Sequence, residues 1–367
     1  MKKIVSMLTA GILVLSAVSA YNPPVMGENF YELSSPRQLS NANSSTGGGI
    51  FYEGPDSILV NPALSAGEQR VVLNLANTEL FSSGNYGDAF QLGITIPFKW
   101  AVLTGYANGV FSNSEAITVG NTINIKAGLA KQITDKLNLG MSVNSGVFWG
   151  YGDAWALSAN LGGLFTVGDV GFLKDVRFGV VISNLGKPFS GTTLPGINPA
   201  VTVEVTAEDG TKTTKNLGTI AGAFPQIGTL QLGAGALLLS TEYVKVGASL
   251  DVTTPLFQNC ILDAGLQFSI KDMLFVTVAE KLNIVEIANG HKDFMPAVGI
   301  SFKFDFSTSL DYAQRHGWNQ SEMTITGAYK NFYNSVHGAS EGVDLYLGMP
   351  DKEAPVINVI FEEGGAE

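Results

Sequence analysis

Residues with side chains suited to catalysis or metal binding are few in this chain of 367 residues. It has three histidines, His291, His316 and His337, and one cysteine, Cys260. None of the histidines stands at a metal-ligand spacing from another histidine or from the cysteine. His316 could act as a general base only beside a nucleophile and an orienting partner. We therefore predict no metal site, no cofactor and no enzymatic activity; a membrane-embedded lipase is the enzymatic alternative.

A second group with chemical potential is a sparse set of charges inside otherwise apolar, alternating segments. Lys245 and Asp251 share one face of such a segment, and Asp263 lies in the next segment. These side chains could orient a carboxylate or a polar head group. Alternatively, Lys245 and Asp251 pair with each other or with residues of a segment that plugs the interior, because buried charges need partners.

The elements that must position these charges are short segments in which apolar and small polar residues alternate. A period of two residues places each set on one face of a β-sheet. Residues 137–149 show the pattern well, with Met141 and Val143 on one face and Ser142 and Asn144 on the other. Strands are predicted at 71–78, 88–97, 100–111, 119–133, 137–149, 154–167, 175–184, 228–240, 242–254, 259–270, 273–282, 295–304, 307–313 and 321–330.

The lengths of the connections agree with a closed barrel of these fourteen strands. Most even-numbered strands are followed by very short turns, whereas the moderate connection at 168–174 is the exception. The longest connection, about 185–227, follows the seventh strand and would lie outside the cell, as would His316. An even strand number with this sorting of loops is typical of an antiparallel barrel whose two ends lie in the periplasm.

Composition points to the same class of protein. Charged residues make up 14% of the chain, below the usual ~25%, and 43 residues are glycine. After the leader, no stretch offers about 20 consecutive apolar residues for a spanning helix. The net charge of −11 argues against a nucleic-acid partner. Together these features predict an all-β transmembrane barrel; a secreted all-β domain is the alternative.

Residues 1–20 have the organisation of a secretory signal peptide. Lys2 and Lys3 precede an apolar run, which ends in the small residues Val18-Ser19-Ala20. We predict export to the outer membrane of a diderm bacterium. The expected organisation is a signal peptide (1–20), a periplasmic N-terminal segment and hatch (21–70), a transmembrane barrel (71–335) and a periplasmic C-terminal extension (336–367).

The stretch at residues 47–66 precedes the first strand and combines three glycines, a turn at 53–56 and Asn61-Pro62-Ala63. Glycines allow tight folding, and the Asn-Pro step favours a turn. This stretch resembles the N-terminal hatch of FadL-like outer-membrane barrels, a group that includes FadL, PorV-type proteins and an uncharacterised family known from spirochaetes. Residues 183–189 (SNLGKPF) resemble a phrase common in PorV-like barrels.

The resemblance implies passive uptake of hydrophobic small molecules such as long-chain fatty acids, with outer-membrane lipids as surroundings and no cofactor. In FadL-like transporters a kink in the third strand opens the wall sideways. Gly105 and Gly109 in the third predicted strand would form such a lateral window. A PorV-like barrel that docks a secreted or surface protein without transport is the alternative, and a general porin is a third possibility.

Overall fold

The computed structural model describes residues 21–24, 27–28, 31–51, 54–82, 85–112, 120–197, 201–206, 212–217, 220–290, 295–332 and 336–349. Its strands are β1 (Val71–Ser82), β2 (Asn85–Pro97), β3 (Val102–Phe111), β4 (Asn121–Thr134), β5 (Leu137–Trp149), β6 (Ala154–Val170), β7 (Leu173–Lys187), β8 (Val201–Thr206), β9 (Lys212–Leu217), β10 (Thr229–Ser240), β11 (Val244–Pro255), β12 (Ile261–Ile270), β13 (Leu274–Asn283), β14 (Ala297–Ser307), β15 (Gln320–Asn331) and β16 (His337–Leu347).

All strands except β8 and β9 close into one barrel of fourteen antiparallel strands, whereas β8 and β9 form a separate two-stranded sheet. The barrel closes where β1 pairs with β16, from Val71 opposite Leu347 to Phe81 opposite His337. Closure removes the unpaired strand edges that an open sheet would expose. The predicted fold class, a fourteen-stranded antiparallel transmembrane barrel, is confirmed.

The helices are short, and none of them forms part of the barrel wall. They are α1 (Pro36–Ser40), α2 (Ile284–Ala288) and α3 (Asp311–Arg315), with 3-10 turns at Glu32–Ser34, Pro55–Leu59 and Leu64–Gly67. No helix among the described residues is long and apolar enough to cross a membrane.

The two faces of the wall differ as the alternating sequence requires. On β5, Met141 and Val143 are 51% and 46% exposed on the outer face, while Ser142 and Asn144 are buried inside. The same inversion of a soluble protein's pattern recurs around the barrel, with Leu, Ile, Val and Phe outside. Aromatic pairs mark both rims of this apolar belt, as membrane interfaces favour. The pairs are Phe98–Trp100 at one rim and Phe111–Trp149 at the other.

The two ends of the barrel are distinguished by their connections. The end at which β1 begins, here called the turn end, carries the connections 98–101, 135–136, 171–172, 241–243, 271–273 and 308–319. The opposite end, here called the loop end, carries the longest connection, 188–228. The connection expected at 168–174 shrinks to a tight turn, because β6 and β7 are longer than predicted.

The C-terminal part of the barrel differs from expectation in one predicted strand and one additional strand. Residues 307–313 do not form a strand: β14 ends at Ser307 and α3 occupies Asp311–Arg315. The barrel continues past residue 335 to Leu347, since β16 lies where a periplasmic extension was expected. Glu341 on its outer face interrupts the apolar alternation, and the strand is identified by its pairing with β15 and β1. As a result, His316 lies at the turn end instead of on an external loop.

Candidate functional site

The N-terminal segment, residues 21–67 as far as they are described, runs through the lumen from one end of the barrel to the other. At the loop end, the Tyr21 amide donates to Gln258 Oε1 at 2.7 Å, and the Gly222 amide donates to the Asn22 carbonyl at 2.6 Å. At the turn end, Arg70 pairs with Glu68 at 3.0 Å and with Glu322, just before β1 begins. The segment between these points therefore occupies the space that an open channel would leave free.

Asn61, Pro62 and Ala63, the expected hatch residues, lie against β5 and β6. Asn61 Nδ2 donates to the carbonyls of Ser45 at 2.7 Å and Gly163 at 3.1 Å. Asn61 Oδ1 accepts from the Ala63 amide at 2.9 Å, which closes a tight turn around Pro62. Ala63 is fully buried beside Leu64 and Leu164. The structure thus places this turn inside the barrel, near its turn end.

Of the three charges predicted to line the lumen, Asp251 and Asp263 lie opposite each other on β11 and β12, whereas Lys245 lies apart from both. Lys245 lies at the turn end, where its ammonium is 2.8 Å from Asp272 in the next turn. Asp251 is fully buried and accepts hydrogen bonds from Ser44 Oγ at 2.7 Å and from the Ser45 amide at 2.8 Å. Asp251 therefore anchors the N-terminal segment to β11, whereas Lys245 takes no part in the interior.

Asp263 belongs to a buried charge network that sequence reasoning missed. Lys281 Nζ lies 2.7 Å from Glu32 Oε2 and 3.6 Å from Asp263, and Lys330 Nζ lies 3.1 Å from Glu32 Oε1. Glu32 comes from the N-terminal segment, and the two lysines come from β13 and β15. The only signal in the sequence was the presence of lysine at inward positions of alternating strands.

A second ionic anchor fixes the N-terminal segment to the barrel seam. Arg37 pairs with Asp344 on β16 and lies 3.5 Å from Asp56. The Asp56 carboxylate also accepts from Ser35 Oγ at 2.6 Å. Asn74 on β1 donates to Asp344 at 2.8 Å. The acidic turn noted in the sequence therefore supplies one member of this anchor.

A cavity of about 70 Å³ lies in the lumen between the loop end and the turn at Asn61. Its lining includes Glu28, Tyr31, Lys126, Asn160, Ser183 and Lys281. The Lys126 ammonium sits 3.8 Å from the centre of the Tyr31 ring. Within the described part of the chain, no carboxylate forms an ion pair with Lys126. Burial raises the pKa of Glu28, which lies outside the strands, to about 8; the Gln226 amide opposes this shift and Glu286 adds to it.

An apolar cap covers the cavity at the loop end; it consists of residues 21–24, 27–28, 188–197 and 220–228. Phe189 and Phe224 exchange backbone hydrogen bonds of 2.9 and 3.0 Å, and both rings pack on Phe148 of β5. The N-terminal residues are woven into the cap, because Pro24 forms a β-bridge with Gly196. The start of the N-terminal segment and the cap therefore form one packed unit.

The expected lateral window at Gly105 and Gly109 is not present. β3 pairs with β2 and β4 without any register shift, and the Phe90 ring covers Gly109. Both glycines face outward in a regular ladder, so they mark neither a bulge nor a gap.

The wall is irregular at β7 instead. The pairing of β6 with β7 skips from Leu185 to Ile182, which leaves Ser183 and Asn184 as a bulge. Asn184 has a positive φ of 60°, and its amide donates to Asn160 Oδ1 at 2.8 Å. Both bulge residues line the cavity, and β7 pairs with β10 only as far as Ser183. The bulge is therefore the place where the cavity meets an incompletely paired part of the wall.

The histidines and the cysteine do not form a reactive centre among the described residues. His316 Nδ1 lies 2.8 Å from the Tyr312 carbonyl, and its ring packs between Tyr312 and Trp318. His337 Nδ1 lies 2.6 Å from the Tyr329 hydroxyl, and Cys260 is half-buried. His291 lies outside the described residues. In the same part of the chain, no group of three or more His, Cys, Asp or Glu side chains is placed to hold a metal ion.

The closed strands and the apolar outer belt define a transmembrane β-barrel. No family model matches the chain, and no curated protein matches it. Among solved structures, it is similar to the Pseudomonas putida toluene transporter TodX, with a TM-score of 0.47, 13% identity and coverage of 85% of this chain and 98% of that chain. It is also similar to the CymD monoaromatic hydrocarbon channel (TM-score 0.44, 13% identity, 85% and 97% coverage) and to a Pseudomonas aeruginosa FadL homologue (0.44, 10%, 85% and 97%). At these values the similarity describes barrel architecture alone.

Proposed function

We propose that this protein is an outer-membrane channel for passive uptake of hydrophobic small molecules, exported by its N-terminal leader, with the N-terminal segment as its hatch. The observation that carries the proposal is the lumen-filling segment itself. It is held by side-chain hydrogen bonds and ion pairs, such as those of Asn61 and Glu32, without covalent cross-links. Such non-covalent contacts can break and re-form. A plug that moves out of the lumen requires contacts of this kind.

Long-chain fatty acids are the cargo that we propose, because the cavity offers both kinds of surface that a fatty acid needs. Leu59, Val60 and Ile261 contribute apolar walls, and Lys126 contributes an ammonium that no carboxylate neutralises within the described part of the chain. An ammonium and a carboxylate form a charge-assisted hydrogen bond, which is stronger than a neutral one. The cavity lies between the cap and the hatch turn, so cargo entering from the loop end must displace the cap, which includes the start of the N-terminal segment.

The side exit that we propose is the bulge at Ser183 and Asn184, in place of the window expected in β3. A bulge leaves backbone groups outside the ladder and weakens pairing locally. Here it adjoins both the cavity and the stretch of β7 that has no partner in β10. Hydrophobic cargo leaving at this point would enter the bilayer without crossing water.

A disulfide that locks the hatch tests the function. A β-carbon on Gly265 of β12 would lie 3.3 Å from the Ala42 β-carbon, close to the ~3.5–4.5 Å of a disulfide. In a Cys260→Ala background, oxidised Ala42→Cys/Gly265→Cys protein should lose uptake of labelled oleate into proteoliposomes, and a reductant should restore it. The single variant Ala42→Cys is the control and should transport in both conditions.

Full uptake by the oxidised double variant would contradict the hatch assignment. No uptake by the unmodified protein would contradict transport and favour the docking function, in which a secreted or surface protein binds the connection 188–228. The β8–β9 hairpin within that connection would then be the first candidate contact.

A further inference from the structure

Two opposite charges that line the cavity have no counter-ion among the described residues. Lys126 of β4 is 3% exposed and contacts the Tyr31 ring as its cation–π partner. Glu28 accepts hydrogen bonds from the Gln226 amide at 3.1 and 3.2 Å, and no lysine or arginine pairs with it in the described part of the chain. Burying a charge without a partner is costly.

The other charges of the same cavity form ion pairs with each other and with Lys330. Glu32 holds both Lys281 and Lys330, and Asp263 lies 3.6 Å from Lys281. This network contains its own counter-ions, so the unpaired ammonium of Lys126 and the unpaired carboxyl group of Glu28 remain as one complementary set. Tyr31 stands with them: its ring covers Lys126, and its hydroxyl accepts from Asn144 Nδ2 at 2.8 Å.

Most of the remaining lining is also polar. Asn160, Ser183, Thr229 and Gln231 face the cavity beside the charged groups. A neutral hydrocarbon in this space would leave Lys126 and Glu28 without a charged partner, and a buried charge without a partner is costly. The lining therefore fits a ligand with charges of both signs better than one with none.

We infer that the cavity binds a zwitterionic group, with its carboxylate or phosphate at Lys126 and its ammonium at Glu28, which releases its proton to solvent as the ammonium binds. The inference goes beyond the proposed function, because a zwitterion engages Glu28 as well as Lys126 and is a class of ligand distinct from a fatty acid. Such a group occurs in free amino-acid-like molecules and in the head groups of amphiphiles. A volume of about 70 Å³ holds the charged group, and an attached chain would have to extend beyond it.

Calorimetric titration of the purified protein in a maltoside detergent, whose head group is uncharged, tests the inference. The probes are phosphoethanolamine as a free zwitterion, lysophosphatidylethanolamine as a zwitterionic amphiphile, and toluene as a neutral hydrocarbon. We expect a zwitterion to bind, and Lys126→Gln and Glu28→Gln each to weaken its binding about tenfold or more, since each removes one charge-assisted contact. Lys245→Gln, whose ion pair lies at the turn end, should bind like the unmodified protein.

Lys126→Met is a second variant at the same position, and heat-modifiable migration on gels reports folding of every variant. Binding of phosphoethanolamine would identify a free zwitterion as ligand, whereas binding of the lysolipid alone would identify an amphiphile's head group. Absence of binding by both zwitterions, or equal affinity in folded Lys126 and Glu28 variants, would overturn the inference. If the protein takes up oleate but binds no zwitterion, the proposed function is supported and the zwitterion site is not. If it binds a zwitterion but takes up no oleate, the site is supported and the proposed function is not.

Discussion

A β-carbon on Gly140 of β5 would lie 2.3 Å from the carbonyl carbon of Pro62, so wall and N-terminal segment meet there backbone to backbone. It would also lie 2.4 Å from the Ala63 nitrogen. Real side chains do not approach backbone atoms so closely, and glycine is the residue that avoids the overlap. The turn at Asn61 and Pro62 is therefore seated in a recess of the wall that a missing side chain creates.

Filling this recess should expel the turn. In a Cys260→Ala background, a cysteine replacing the fully buried Ala63 should resist a bulky maleimide in the folded protein. Adding Gly140→Val should make the same cysteine react, because the new side chain occupies the space of Pro62. Gel shift of the maleimide adduct over time measures the reaction.

The matched control is Gly163→Ala, since a β-carbon there would meet only ordinary contacts, the nearest being Leu139 Cδ2 at 3.7 Å. This variant should label as slowly as the parent. Rapid labelling of the parent would place the turn outside the barrel, and slow labelling of Gly140→Val would show that the wall, not the turn, gives way.

Introducing a charged side chain on the outer face should destabilise the barrel, and the loss should be larger near the middle of the bilayer than near its surface. Val143 is an outward residue in the middle of β5, and Ile133 is an outward residue near the turn-end limit of β4. Val143→Arg should destabilise the folded barrel by about 2–4 kcal/mol, and Ile133→Arg by about 0–1 kcal/mol. Reversible unfolding from lipid vesicles measures both. Equal losses at the two sites would argue against a bilayer around this belt.

Removing the Glu32 carboxylate should loosen the N-terminal segment and destabilise the barrel. Glu32→Gln would leave the buried ammonium groups of Lys281 and Lys330 without their shared partner, which costs about 3–5 kcal/mol for a broken buried pair. Asp272→Asn, which breaks the exposed pair with Lys245, should cost about 0–1 kcal/mol. The free energy of unfolding, measured for each variant and for the unmodified protein, gives both losses. A loss below about 1 kcal/mol for Glu32→Gln would mean that water molecules hydrogen-bond to the two ammonium groups in place of the carboxylate.

Glu28 should make stability depend on pH. Its pKa is raised by burial from 4.5 to about 8 in the folded protein, with Glu286, Tyr21 and Tyr31 as the titratable groups facing it. Between these values the folded state holds a proton that the unfolded state has released. This contribution to stability is therefore complete below pH ~4.5 and is lost as pH rises through about 8.

Glu28→Gln should remove this dependence. Relative to the variant, the unmodified protein should lose at most about 1.4 kcal/mol of unfolding free energy per pH unit in that interval. The comparison of unfolding at pH 5 and pH 8 measures the difference. Parallel pH profiles for the two proteins would show that Glu28 is ionised in the folded state.

Alternation in the sequence was sufficient to predict the class of fold. A period of two residues assigns every side chain of a strand to one face, so Met141 and Val143 could be placed outside, and Ser142 and Asn144 inside, without coordinates. Thirteen of the predicted strands correspond to strands of the barrel, and the strand total of fourteen agrees because one wrong strand at 307–313 balances the missed β16. The sequence also singled out the turn at Asn61, because Asn-Pro after glycines restricts the backbone locally.

Only the tertiary structure decided which charges meet and where the wall is irregular. Lys245 and Asp251 share a strand face in the sequence, yet one pairs at the rim with Asp272 and the other binds Ser44 and Ser45 inside. Glu32 pairs with Lys281 and Lys330, which lie 249 and 298 residues further along the chain, and β16 closes the barrel by pairing with both β15 and β1. Such contacts depend on barrel closure and on the path of the N-terminal segment through the lumen, and these long-range relations leave no periodic trace in the residues that form them.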